Sequence, residues 1–154
     1  MKNLREITLK KAEFLDIEFL WYLRNRKETK EFSMVSGKVK WDEHVNWILP
    51  ILLGVSNKQV FIIKNLRTPI GQIRFDYKGR DEAEISISIL KEFWGKGFAL
   101  MAIVSGIKKQ KDIKRFTATI HKDNLPSANL FKKVNFVFQS STGNWSRYNL
   151  IVKK

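Results

Sequence analysis

The chain has 154 residues, of which 44% are hydrophobic, and this is enough for one domain with a buried core. It has no cysteine and only two histidines, His44 and His121, so a disulfide framework and a thiolate zinc site are excluded and no metal is expected. The formal net charge of +14 suggests an anionic partner, such as nucleic acid, a membrane surface or a phosphorylated small molecule; a solvated basic surface without a specific partner is the alternative.

No apolar run reaches the roughly 18 residues of a membrane helix, and the N-terminal segment has no apolar signal core. No Pro-, Gly- or Ser-rich linker divides the sequence. We therefore expect a cytoplasmic protein without a membrane partner, built as a single domain over residues 1–154.

The start of the chain predicts a strand and two helices. Residues 4–9 alternate weakly between apolar and polar side chains, and residues 12–26 carry apolar side chains at helical spacing. A second helix is predicted over residues 41–54. Asp42 and Glu43 suit its positive end, and we expect a break near Pro50 and a stop at Gly54.

The period then changes to that of β-strands. Strands are predicted over residues 59–64, 69–77 and 82–90, with short connections typical of an antiparallel meander. In the third strand, isoleucines occupy one face and polar residues the other, namely Glu82, Glu84, Ser86 and Ser88. A strand with one polar face borders solvent or lines a site.

The remaining elements alternate between helix and strand. The pattern predicts a helix over residues 98–109, a strand over 114–120, a helix over 124–134, and terminal strands over 135–140 and 145–154. The predicted order is therefore β-α-α-β-β-β-α-β-α-β-β.

Two glycines, Gly95 and Gly97, separate the third meander strand from the next helix. Their surroundings lack the spacing of a P-loop, and Leu100 breaks the G-x-G-x-x-G pattern. A glycine-rich turn that leads into a helix can still bind an anion through free backbone N–H groups. A plain turn is the alternative.

Two segments around this turn resemble motifs of the GNAT superfamily of N-acyltransferases. ISILKEFWGKGFA (residues 87–99) is similar to the acetyl-CoA signature at Ile89, Gly97 and Ala99, whereas Trp94 stands where arginine or glutamine is commonest. DNLPSANLFKKVNF (residues 123–136) is similar to a second motif. It matches at Asn124, Ser127, Leu130, Lys133 and Phe136, while Phe131 replaces a tyrosine and Asn135 a glycine.

The resemblance implies a three-layer α+β fold. A mixed, mostly antiparallel sheet of six or seven strands would be flanked by about four helices, with strands four and five splayed. It also implies an acetyl-CoA-dependent N-acetyltransferase that transfers the acetyl group directly to an amine in a ternary complex. The residues implied to bind acetyl-CoA are Ile89, Trp94, Gly95, Lys96, Gly97, Phe98, Ala99, Asn124, Ser127 and Phe131. For Asn124 the alternative is helix capping, and for Lys96 it is a solvated side chain.

Catalysis requires a group that takes a proton from the amine and one that returns a proton to the thiolate. We predict Glu84, on the polar face of its strand, as the proton acceptor, with pairing to a neighbouring arginine such as Arg74 as the alternative. Because Phe131 lacks the usual hydroxyl, Tyr148 is predicted as the proton donor. Tyr22 or water are the alternatives.

The segments before and within the meander resemble acetyltransferases of pseudaminic and other nonulosonic acid biosynthesis, which act on nucleotide-linked amino-deoxy sugars. The residues predicted to bind such a substrate are Arg24, Asn25, His44, Trp47, Arg74, Asp76 and Ser86. The alternatives are a core position for Trp47, a helix pair of His44 with Trp47, and an ion pair of Arg74 with Asp76.

Two other functions stay open: N-acetylation of a protein or peptide, and non-catalytic binding of nucleic acid through the basic surface. For the enzyme we expect no nucleic-acid partner, and we consider a homodimer as its assembly.

Overall fold

The computed structural model describes residues 5–34 and 37–153. Seven strands form one sheet: β1 (Ile7–Lys11), β2 (Lys58–Asn65), β3 (Thr68–Lys78), β4 (Glu82–Ile89), β5 (Arg115–His121), β6 (Val137–Thr142) and β7 (Trp145–Ile151). The strands lie in the order β1-β2-β3-β4-β5-β7-β6. Neighbouring strands are antiparallel except β4 and β5, which are parallel.

Helices cover both faces of the sheet. They are α1 (Ile17–Arg24), α2 (Lys27–Glu31), α3 (Trp41–Leu52), α4 (Phe98–Lys109) and α5 (Leu125–Lys133), with 3-10 turns at Phe14–Asp16 and Lys91–Phe93. Within the described ranges, no helix is long and apolar enough to cross a bilayer. The predicted three-layer α+β architecture is confirmed.

Alternation along the strands creates two cores, one on each face of the sheet. Ile73 and Phe75 of β3 belong to the larger core, beneath α4 and α5. Val60 and Ile62 of β2 belong to the smaller core, beneath α1 and α3. On this second face of the sheet, α1 and α3 cover β2. The polar residues of β3 and β4 lie on the same face, beside these two helices.

Some element boundaries differ from the predictions. The predicted break at Pro50 is wrong: proline removes one N–H donor, but α3 continues, and the Leu53 N–H donates to the Leu49 carbonyl at 2.9 Å. The short helix α2 was not predicted. Residue 4 of the first predicted strand and residue 154 of the last lie outside the described residues.

Strands β4 and β5 are paired only where they begin. Glu82–Glu84 lie opposite Arg115–Thr117, and the pairing stops there, although both strands are described to their ends. Residues 85–89 and 118–121 therefore diverge and leave a wedge between them, as the family resemblance implies. We call the Glu84–Thr117 pair, the last before the strands separate, the vertex of the wedge.

Candidate active site

The N-terminus of α4 forms an open site for an anion. Gly97 precedes the helix with φ 82°, a left-handed conformation that favours glycine, and its carbonyl accepts from the Met101 N–H at 3.2 Å. The N–H groups of Phe98, Ala99 and Leu100 precede this first helical bond, and no described side chain caps this end. Free amides at the positive end of a helix are suited to a phosphate group.

Trp94 anchors the loop that leads to this site. Its indole N–H donates to the Ile89 carbonyl at 2.8 Å, while 53% of the residue remains exposed. Gly95 then turns the chain with φ 75°. The Nζ of Lys96 lies 5.5 Å from the ring centroid of Phe93. Trp94 therefore ties the loop to the end of β4, and the anion contacts are left to backbone N–H groups.

The second motif positions α5 beside the wedge. The Asn124 Oδ1 accepts from the Ser127 N–H at 3.3 Å, so this side chain caps the helix, as the alternative interpretation held. Phe131 is only 2% exposed and packs edge-on against Phe136, with ring centroids 5.0 Å apart. Phe131 is thus a core side chain, and its contact with acetyl-CoA stays a prediction.

Glu84 lies at the vertex of the wedge, opposite Thr117 of β5. Its Oε1 lies 3.0 Å from the Nζ of Lys78, and its side chain is 22% exposed. Glu84 is therefore paired with a cation of the neighbouring strand, as the alternative held, but the partner is Lys78 rather than Arg74. The carboxylate faces the same side of the sheet as Ser86 and borders the point where the two strands separate.

Arg74 is held within the sheet by several contacts. Its Nε donates to Asp76 Oδ1 at 2.7 Å, and Asp76 also accepts from Lys58 Nζ at 2.9 Å. The guanidinium carbon lies 5.5 Å from the ring centroid of Trp47, and Nη2 lies 3.4 Å from Ser86 Oγ. The in-sheet ion pair of Arg74 with Asp76 is confirmed, whereas Trp47 is 38% exposed and is not a core residue.

Arg24, at the end of α1, brings a second guanidinium towards Arg74. Its Nη1 donates to Ser33 Oγ at 2.7 Å. Burial and the positive charge of Arg74 lower the pKa of Arg24 below its usual value. Among the described residues no carboxylate is paired with Arg24, while Arg74 shares Asp76 with Lys58. The polar face of the sheet beside α1 thus has more positive than negative charge.

The family is decided by comparison with known sequences. A profile of the acetyltransferase (GNAT) domain matches residues 4–137. The chain belongs to the GNAT acetyltransferases. It is an acyltransferase, and enzymes of this family use acetyl-CoA. No curated protein sequence matches the chain.

Solved structures share the GNAT fold over nearly the whole chain. A domain from Methanocaldococcus jannaschii is 23% identical with a TM-score of 0.84, and the match covers 96% of this chain and 99% of that one. Spermidine N-acetyltransferase from Vibrio cholerae, solved with CoA and spermine, is 18% identical with a TM-score of 0.84, over 94% and 95% of the two chains. An acetyltransferase from Thermus thermophilus is 13% identical with a TM-score of 0.82, over 98% and 100%.

Two residues predicted to bind the amine substrate, Asn25 and His44, make structural contacts, and their contact with substrate stays a prediction. The Asn25 side chain accepts from the Val39 N–H at 2.8 Å and donates to the Val39 carbonyl at 3.0 Å, so it holds the segment before α3. His44 is 3% exposed, and its Nε2 lies 3.1 Å from the Ile17 carbonyl. Its ring lies 6.1 Å from that of Trp47, as expected for the alternative helix pair. Burial lowers the pKa of His44.

The GNAT domain does not bring its two predicted catalytic residues together. Tyr148 is 7% exposed and lies opposite Ala118, on the face covered by α4 and α5. Glu84 lies opposite Thr117, on the other face. Tyr148 therefore packs in the larger core, and its role as proton donor stays a prediction. The alternative, Tyr22, accepts a hydrogen bond from Arg26 at 2.9 Å and is 49% exposed.

An aromatic cluster around His121, on the polar face of the sheet, was not predicted from the sequence. His121 of β5 lies 5.5 Å from the ring of Phe32 and 5.2 Å from that of Trp145. Its Nδ1 accepts from the Asp123 N–H at 3.1 Å, so in the neutral ring Nε2 carries the proton. Alternation along β5 could have indicated this position, because His121 shares a face with Thr117.

The described residues do not offer an evident metal site. No three histidine, aspartate or glutamate side chains in residues 5–34 and 37–153 converge in the way that metal coordination requires. The site consists instead of backbone amides, the wedge and the polar side chains of β3 and β4.

Proposed function

We propose that this enzyme acetylates an amine on a small anionic molecule, and that a nucleotide-linked amino-deoxy sugar is the class of substrate. The observation that carries this proposal is the surplus of positive charge on the polar face of the sheet beside α1. There, three cations, from Arg24, Arg74 and Lys58, accompany the carboxylate of Asp76, while the neighbouring carboxylate of Glu84 is paired with Lys78. A diphosphate would supply the missing negative charge and matches the planar donors of guanidinium groups.

The same charge argues against the main alternatives. A polyamine, the substrate named for the Vibrio cholerae relative, would add like charges to this face. A basic peptide would also approach a chain of net charge +14 unfavourably. An exposed tryptophan beside Arg74, Trp47, offers a ring on which part of a nucleotide sugar could stack.

In the proposed reaction, acetyl-CoA lies in the wedge with its pyrophosphate on the free amides of α4. Glu84 accepts a proton from the ammonium group of the substrate, which makes the nitrogen nucleophilic. The N–C bond forms and the C–S bond breaks, and the second proton of the nitrogen passes through a hydroxyl or water to the departing thiolate. Backbone N–H groups of residues 85–89 that lack a strand partner can donate to the developing oxyanion.

The proposal is tested with a panel of amines. Initial rates of thiol release from acetyl-CoA are measured with 4-amino nucleotide sugars, spermidine and basic peptides; the enzyme itself adds no thiol background, since it has no cysteine. We expect kcat/KM for a nucleotide sugar to exceed the other values by about 100-fold, the size of one or two charge-assisted hydrogen bonds. Faster turnover of spermidine or of a peptide would contradict the assignment.

A further inference from the structure

Thr117 is a fully buried polar residue at the vertex of the wedge. It is 0% exposed, and its hydroxyl has no hydrogen-bond partner among the described residues. A buried hydroxyl without a partner destabilises the fold, and valine would avoid this cost at nearly the same volume. A polar partner for this hydroxyl is therefore expected.

The position of Thr117 places this hydroxyl beside the proposed proton acceptor. Thr117 lies opposite Glu84 of β4, and their side chains project from the same face of the sheet. Neighbouring strands lie about 4.8 Å apart, a distance that one water molecule can bridge between two side chains.

A second buried donor without a partner belongs to the side chain of Arg147. Arg147 of β7 lies opposite Thr119, yet its Nη2 reaches to 3.7 Å from Glu82 Oε2 on β4. Its side chain must therefore cross β5, and it passes over Thr117 because Glu82 lies opposite Arg115. The Nε of Arg147 is also buried without a partner.

We propose that one internal water molecule binds between Thr117 Oγ1, Arg147 Nε and the carboxylate of Glu84, and that Thr117 thereby positions this carboxylate for proton transfer. Buried waters typically make about three hydrogen bonds to polar groups that otherwise lack partners, and these three groups supply them. Arg147 donates to the water, and the water donates to Glu84 and Thr117. The positioning role of Thr117 rests on the proposed function of Glu84 as proton acceptor. The water site itself does not depend on that function.

Without the water, the carboxylate would be held only by Lys78, at 3.0 Å. It would lose one of the hydrogen bonds that orient it. The charged groups around Glu84 come from every adjoining strand: Asp76 and Lys78 from β3, Glu82 from β4, Arg115 from β5 and Arg147 from β7. Because none of these charges changes when Thr117 is replaced, a shift in the pH profile would report the lost water.

The kinetic test compares Thr117→Val with Thr117→Ser. We expect Thr117→Val to lower kcat about tenfold, the effect of losing one hydrogen bond, and to change the acid limb of the pH–rate profile. The KM for acetyl-CoA and the melting temperature of Thr117→Val should differ from the wild-type values by no more than those of the control Thr8→Val do. Thr117→Ser should restore kcat. Wild-type kcat and pH profile in Thr117→Val would overturn the positioning role.

A crystallographic test does not depend on the amine substrate. High-resolution maps of the wild type should show a water within hydrogen-bond distance of Thr117 Oγ1 and Glu84, and maps of Thr117→Val should lack it. A wild-type map without this water would overturn the inference. If no amine in the panel is acetylated, the proposed function fails, while these maps still decide the water site.

Discussion

At the scale of single residues, Glu84 is the side chain on which proton transfer is proposed to depend. Replacing it by glutamine keeps the shape and removes the base. We expect Glu84→Gln to lower kcat about 100- to 1,000-fold, within the usual range for general base catalysis, and to leave acetyl-CoA affinity unchanged. The pH–rate profile measures the loss of the base. The control is Glu6→Gln, a substitution at an exposed position directly before β1. An unchanged profile in Glu84→Gln would remove Glu84 as the base.

His44 gives a prediction about stability rather than catalysis. Because burial lowers the pKa of His44 in the folded protein, the unfolded chain binds a proton more readily. The stability that neutral His44 contributes is complete above its unfolded pKa of about 6.5 and is lost as pH falls through the lower folded value. Urea unfolding between pH 5 and 8 should show the wild type losing stability relative to His44→Gln at low pH. A difference in unfolding free energy between the two proteins that stays constant over this pH range would contradict the burial effect.

At the scale of elements, the first turn of α4 is expected to set cofactor affinity. Gly97 has φ 82°, where a Cβ costs about 1–2 kcal/mol, so Gly97→Ala should shift the turn and its free amides. We expect the dissociation constant for acetyl-CoA to rise about tenfold, the equivalent of 1.4 kcal/mol, as measured by titration calorimetry. Gly79→Ala is a matched control, since Gly79 has φ 69° in the β3–β4 turn. An equal loss of affinity in both variants would contradict a specific role for the loop.

Sequence patterns predicted elements well where local signals were strong. The bounds of α4 agree at both ends, because the helix begins directly after a glycine turn and has a continuous apolar face. The short helix α2 has the sequence KETKE and no apolar periodicity, so its position depends on contacts with the rest of the chain. The parallel contact of β4 with β5 joins residues about 30 positions apart, and only the family resemblance implied the splay.

The candidate site was predictable to a similar extent. Alternation along β3 and β4 places Arg74, Ser86 and Glu84 on one face, and the structure agrees. The partners could not be read from the sequence: Lys78 pairs with Glu84, and Asn25 binds the backbone of Val39. Each contact joins residues that are too far apart in the sequence for a local pattern to indicate it.

At the scale of the whole molecule, the net charge of +14 should affect encounter with anionic substrates. Salt screens such attraction, so raising the salt from 50 to 500 mM should increase the KM for acetyl-CoA several-fold and change kcat little. Initial rates at both concentrations measure this effect. Steeply salt-dependent binding to DNA, without turnover or thermal stabilisation by acetyl-CoA, would instead favour the non-catalytic nucleic-acid module.

The short β4–β5 contact also has a consequence for local stability. Only three residue pairs join the two strands, so the backbone groups that face the wedge lack the protection of a ladder. In hydrogen–deuterium exchange, amides of residues 85–89 and 118–121 that face the wedge should exchange faster than those of Glu82–Glu84 and become slow when acetyl-CoA is added. A ligand lying in the wedge would then take the place of the missing strand contacts and join the two parts of the sheet.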